Sequence, residues 1–260
     1  MSVSYSSYLK LDQLLGLQQP LSGGPEHDET LFIIIHQVYE LWFKELLHEL
    51  DYLEGLLERE DLPRAQHTLK RVLTILKVVV AQIDVLETMT PLEFLSFRER
   101  LEKGSGFQSY QFRELEFVLG LKSRAAVTRY PEGSEGRRRL EQRLARPTLW
   151  DGFLRLLAAR GYSVPASVLH RDPAAPVEAA PELHPMLIDV YRRDPDLRAL
   201  CERLVDLDEG LQEWRYRHVK MVERTIGART GTGGSEGAAY LMTTLNRPCF
   251  PDLWTIRTEL

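Results

Sequence analysis

The chain has 260 residues, 43% hydrophobic and 27% charged, enough to bury a large core as one domain or two closely packed ones. A formal net charge of −5, with no basic stripe or aromatic platform, argues against nucleic acid as a partner. Cys201 and Cys249 cannot form a disulfide scaffold, no signal-peptide pattern opens the chain, and the longest apolar runs (Leu31–Ile35, Val78–Ala81) are too short for a bilayer. A cytoplasmic protein that does not enter membranes is expected.

The elements read as helices throughout, an all-α fold. Pro25 follows Gly23 and Gly24 and is expected to open an amphipathic helix to about Glu60, with Phe32, Ile35, His36, Tyr39, Phe43 and Leu46 on one face. A second long helix is expected from Pro63 to Leu86. Thr90-Pro91-Leu92-Glu93 has the form of a capping box and starts a short helix carrying Phe94, Phe97, Arg98 and Leu101. Gly104 and Gly106 interrupt the pattern, which resumes over 108–119. From Tyr130 to Pro185 seven prolines punctuate shorter helices, and Asp172–Pro181 reads as a loop. The cluster Arg137, Arg138, Arg139 reads as a solvated helix start. A last long helix is expected over 196–226, ended by Gly227. The organisation expected is an N-terminal segment (1–24), a helical core (25–124 and 186–260) and a small inserted helical subdomain (125–185).

The informative positions are polar groups on apolar faces. His218 shares a stripe with Leu211, Trp214 and Met221; a metal on one ring nitrogen and an acceptor on the other would satisfy it, as would ordinary core hydrogen bonds. His36 is either a hydrogen-bonding group facing an apolar ligand or a satisfied core histidine. Arg98, if buried, needs an anion, either a substrate carboxylate or an internal one from Glu116 or Glu87; otherwise it snorkels to solvent. Glu45 and His48 match a di-iron element, but no second copy exists, so they read as a solvated face. The run Gly231–Gly237 lacks phosphate-loop spacing and reads as a flexible loop able to bring Thr232 to a ligand. The residues alone indicate a helical protein with a pocket holding two histidines, an arginine and aromatics.

Longer strings go further: Tyr5-Ser-Ser-Tyr8-Leu9, Gln18-Gln-Pro-Leu-Ser22, His27-Asp-Glu-x-Leu-Phe32-Ile-Ile-x-His36-Gln37, Glu40-Leu-Trp42-x-Lys44, Val85-Leu-Glu-Thr-x-Thr-Pro91, Phe97-Arg98, Ser105-Gly-Phe-Gln-Ser109, Trp214-Arg-x-Arg-His218 and Gly231-Thr-Gly-Gly-Ser235. In this order they resemble the tryptophan 2,3-dioxygenase family. The resemblance implies a cytoplasmic haem enzyme that inserts O2 across the indole C2–C3 bond of L-tryptophan. The product would be N-formylkynurenine, in the first step of tryptophan degradation by the kynurenine pathway. It further implies one haem b per subunit, with His218 as axial ligand and Ser105 and Gly106 on its distal face. His36 would bond the indole N–H, Arg98 would clamp the carboxylate, Thr232 would contact the amino-acid end, and Phe32, Phe94, Phe97 and Leu101 would form the ring slot. A homotetramer, a dimer of dimers, is implied, with Tyr5, Tyr8 and Leu9 of a swapped N-terminal segment completing a neighbour's pocket. Phe94 and Ile83 depart from the tyrosine and tryptophan that some members carry there.

Overall fold

Three long amphipathic helices dominate because their apolar residues recur at three and four positions and their ends carry capping groups. The computed structural model describes residues 3–102, 104–229, 231 and 237–260, and no strand occurs among them. Short helices α1 (Tyr5–Leu9) and α2 (Leu11–Leu14) precede α3 (Asp28–Glu58). Helix α4 (Leu62–Leu86) starts at Asp61, whose carboxylate accepts from the Arg64 N–H at 3.2 Å. The capping box at α5 (Pro91–Arg98) is formed: Thr90 N–H donates to Glu93 Oε2 at 2.6 Å and Glu93 N–H donates to Thr90 Oγ1.

Helix α6 (Tyr110–Val118) follows a 3-10 turn over Gly106–Gln108. Then come α7 (Arg124–Val127), α8 (Glu135–Ala145), α9 (Leu149–Ala159), α10 (Ala166–Leu169) and α11 (His184–Arg193). Helix α12 (Pro195–Ile226) is capped by Asp194 and ends at Gly227, at φ +60°. Helices α13 (Ala238–Met242) and α14 (Pro251–Thr255) close the chain.

Helix α4 lies against both α3 and α12, and these are the two most extensive helix contacts. The seam is dry: Phe43 and Leu50 of α3, Leu69 and Val79 of α4, and Leu204 and Leu211 of α12 are all buried in one cluster. Each such side chain contributes about 1.5–3 kcal/mol of apolar burial. At the α4–α12 crossing, Gly210 lets the helices approach, since a Cβ there would stand 2.6 Å from Leu76 Cδ2.

The first long helix begins three residues later than Pro25 suggests. Glu29 turns back so that its two carboxylate oxygens accept from the Leu21 and Ser22 N–H groups, at 2.7 and 2.9 Å, which leaves Pro25 in the preceding turn. Within 125–185, α7 and α8 share a small separate cluster with Phe117, whereas Trp150, Phe153 and Leu157 of α9 join the main core. Arg139 does more than solvate a helix start: it pairs at 2.9 Å with Glu114, a carboxylate only 2% exposed. No helix among the described residues is long and apolar enough to cross a membrane.

Candidate functional site

The inward faces of α3, α5 and α12, together with the segment from Gly104 to Arg113, enclose a cavity of about 240 Å³. A single water needs roughly 15 Å³ by a comparable measure, so this is space for an organic ligand. Its lining is mostly carbon: Phe32, Phe43, Ile83, Phe94, Phe112 and Met221 contribute, and Tyr240 and Leu241 close one side.

His36 lines the cavity from α3. Its Nδ1 lies 2.7 Å from the Phe32 carbonyl oxygen, one turn earlier. A carbonyl can only accept, so the neutral ring carries its proton on Nδ1 and presents Nε2 as a lone-pair acceptor. Burial lowers the pKa of His36, against smaller opposing effects of the Phe32 carbonyl and Glu40. The ring is therefore neutral at physiological pH.

His218 lines the cavity from α12, and its ring stacks on Trp214 at 4.9 Å with only 12° between the planes. Burial, and secondarily the charge of His36, push its pKa down to about 4. His218 is partly accessible and lines the cavity. Neither ring nitrogen has a hydrogen-bond partner among the described residues, so the acceptor expected for its second nitrogen is not found there. Such an imidazole is an unsatisfied Lewis base aimed at a cavity.

Arg98 closes α5 and also lines the cavity. The two carboxylates that the sequence offered it are engaged elsewhere. Glu116 holds Arg113 at 2.5 Å and Arg215 at 2.7 Å, and Glu87 holds Arg217 at 3.3 Å and Arg224 at 3.7 Å. Phe32, Phe94 and Phe97 form a mutually packed aromatic wall, with centroids 5.5 to 5.8 Å apart. Phe94 and Ile83, the two departures noted above, both line the cavity with hydrocarbon.

Ser105 Oγ accepts from the Phe107 N–H at 3.3 Å, and a Cβ at Gly106 would meet nothing within 4 Å. Both residues line the cavity, so Gly106 leaves an open shelf there. Leu101 sits half-buried against the core and Phe97 is fully buried, and neither reaches the lining. Tyr5 and Tyr8 are each 76% exposed and Leu9 41%, away from this cavity. Thr232 lies outside the described residues. His48 is exposed and Glu45 half-buried on the other side of α3.

Several lining residues escaped the sequence reading. Arg113, Arg215 and Tyr240 give the cavity a polar end, where Glu116 draws α6 and α12 together. The available signal was the charged pair Arg113 and Glu116 within an otherwise apolar helix face. Trp214 adds a buried indole N–H with no hydrogen bond among the described residues, beside the Tyr39 hydroxyl, which donates to the Val79 carbonyl at 3.1 Å.

The family model for tryptophan 2,3-dioxygenase matches residues 1–147 and 182–260. A protein of Herpetosiphon aurantiacus named tryptophan 2,3-dioxygenase is 59% identical over 259 residues, covering 100% of this chain and 99% of the relative. Proteins of the same name from Anaeromyxobacter sp. strain K and Caulobacter vibrioides are 56% and 45% identical, covering 100% and 99% of this chain and 97% and 98% of their own lengths. The chain belongs to the tryptophan 2,3-dioxygenase family.

Proposed function

We propose that this chain is a haem-dependent dioxygenase that converts L-tryptophan and O2 to N-formylkynurenine, the first step of tryptophan degradation. The observation that carries the reading is the pair of neutral histidines facing one apolar cavity. Among the described residues His218 has no hydrogen-bond partner for either nitrogen, and His36 presents a single acceptor.

The residues fit haem b, one per subunit. The His218 imidazole keeps its lone pair free at neutral pH and is held in plane by Trp214. The open shelf at Gly106 admits a flat ring, and Ser105 lies beside it. The unpaired Trp214 N–H and the Arg113 guanidinium suit the anionic edge of the macrocycle. When bound, haem supplies the binding and activation of O2.

The protein's own work is to bind and orient. Arg98 takes the substrate carboxylate in a two-pronged contact, and Phe32 and Phe94 hold the indole from its faces, with the buried Phe97 and Leu101 backing them. His36 Nε2 accepts from the indole N–H and fixes the ring's rotation. It is an orienting group and not a general base: an indole N–H is a very weak acid, and burial makes His36 a weaker base than usual. Thr232 contributes at the amino-acid end. Both oxygen atoms enter the product, so turnover consumes no external electrons.

The same reading includes a homotetramer, a dimer of dimers, in which Tyr5, Tyr8 and Leu9 complete a neighbour's pocket. Their exposure in the single chain leaves them available for it. A cytoplasmic location is supported by the two free, buried thiols of Cys201 and Cys249.

The test is to reconstitute the protein with haem, reduce it, and follow N-formylkynurenine after adding L-tryptophan in oxygenated buffer. Product should accumulate without further reductant, and His218→Ala should lose haem and activity together. Haem binding without product would replace the enzyme by a binding protein, and failure to bind haem would end the reading.

A further inference from the structure

Arg129 follows α7, outside the residues that line the cavity, yet its side chain reaches the cavity wall. Its guanidinium lies 4.9 Å from the centre of the Phe107 ring and 5.7 Å from that of Tyr240, and Nη1 donates to the Tyr240 hydroxyl over a long 3.4 Å. Phe107 and Tyr240 meet edge to face at 5.3 Å and 83°, and Arg113 stacks on Phe107 from within the site at 5.0 Å. Phe107, Arg113 and Tyr240 line the cavity, whereas Arg129 does not.

Three features separate this cluster from an incidental surface contact. First, it joins segments remote in sequence, and the two it ties together are short: the 3-10 turn of Gly106–Gln108 and the five-residue α13. Neither has the register of a long helix to hold it. Second, Arg129 has a firm base. Ala126 and Val127 are buried in the small cluster with Phe117, and on its other side Tyr130 packs against Gly136, where a Cβ would come within 3.1 Å of its ring. Third, Arg113 has the Glu116 carboxylate, but Arg129 pairs with no carboxylate among the described residues. Its charge is directed to the two aromatic faces.

We propose that Arg129 is a positioning residue for the dioxygenase site. It acts through Phe107 and Tyr240, clamping the Ser105–Ser109 segment to the start of α13 and so setting the polar end of the cavity. The functional half of the proposal rests on the haem-dioxygenase reading above; the clamp itself does not. Because the side chain is exposed, its removal disturbs no core packing.

The test uses the full chain with Arg129→Ala, Arg129→Lys and Arg129→Gln. In the cofactor-free protein, amide exchange at 106–109 and 238–242 should quicken together in Arg129→Ala by about three- to fivefold, with α4 and α12 and the melting temperature unchanged. Arg129→Lys, which keeps a cation for the rings, should restore most protection. Arg129→Gln, which keeps only a donor for Tyr240, should not. In the haem-loaded protein the Ala and Gln variants should raise the KM for L-tryptophan and hasten haem transfer to apomyoglobin by a similar factor, with little change in kcat. Unchanged exchange at both segments overturns the clamp, and unchanged KM and haem loss with altered exchange overturn its role in the site. If the wild-type chain takes up no haem, the dioxygenase reading falls and the exchange measurement still decides the clamp.

Discussion

His36 and Phe32 are joined twice across one turn of α3. Their rings pack at 4.1 Å with 38° between planes, and the His36 Nδ1–H donates to the Phe32 carbonyl at 2.7 Å. The stacking fixes where the imidazole points and the hydrogen bond fixes its tautomer, so Nε2 is a stationary acceptor before any ligand arrives. Phe32 in turn belongs to the aromatic wall with Phe94 and Phe97. The acceptor and the apolar slot are therefore one rigid unit.

Replacing His36 by Ala should then lower kcat/KM for L-tryptophan by about ten- to a hundredfold, the scale of one orienting hydrogen bond, while haem content stays unchanged. Steady-state kinetics on the reconstituted variant check this. Complete loss of turnover with haem still bound would mean that His36 takes part in the bond-breaking steps.

Arg98 makes a separate prediction. Arg98→Leu should raise the KM for L-tryptophan by about a hundredfold, as removal of a charge-assisted pair does. Tryptamine, which lacks the carboxylate, should be a poor substrate of the parent protein and be little affected by the change. An equal loss for both substrates would show that Arg98 supports the fold of the site and does not read the carboxylate.

The sequence made the long helices and both histidines legible, because amphipathic periodicity is local and a polar residue on an apolar stripe stands out. Where it failed, the cause was distance along the chain. Glu116 and Glu87 were reasonable partners for Arg98, but α12 brings Arg215 to the one and Arg217 with Arg224 to the other. No spacing rule encodes that choice. The polar end built from Arg113, Glu116, Arg215 and Tyr240 was missed for the same reason, and the contacts of Arg129 most of all, since they are made to two rings at positions 107 and 240. The start of α3 was misplaced because Glu29 caps an earlier turn with its side chain, a contact that competes with simple proline rules.

Lys122 carries a pH prediction. Its ammonium donates to the carbonyls of Leu144 at 3.1 Å, of Pro173 at 2.7 Å, and of Arg146, tying α8 to the loop after α10. Burial pushes its pKa down to about 8, with Asp151 opposing. Between about 8 and the usual lysine value the unfolded chain holds more protons than the folded one, so this group makes stability rise with pH across that window. The parent should accordingly gain stability relative to Lys122→Met from pH 8 to pH 10. The gain should be on the order of 1 kcal/mol, well short of the full shift, because the three carbonyls favour the charged form. Urea melts at the two pH values decide it, and a relative loss would show that the carbonyls outweigh burial.

Asp208, fully buried on α12, anchors the end of the chain. Its Oδ2 accepts from the Cys249 N–H at 2.8 Å, the Phe250 N–H at 3.0 Å and the Trp254 Nε1–H at 2.9 Å, and Oδ1 accepts from Gln212 at 3.0 Å. Asp208→Ala leaves the buried Cys249 and Phe250 N–H groups and the part-buried Trp254 Nε1–H without an acceptor and should destabilise the protein by about 3–5 kcal/mol in urea denaturation. Asp208→Asn can still turn one oxygen toward the three donors, provided Gln212 flips to accept from the new amide, and should lose only about 1–2 kcal/mol. Ten residues separate Asp208 from His218 on the same helix, whereas the three donors lie in the docked C-terminal segment. Loosening that segment should therefore leave the haem spectrum intact in folded Asp208→Asn protein. A spectrum altered in parallel with the stability loss would instead show that docking of the C-terminus sets the position of His218.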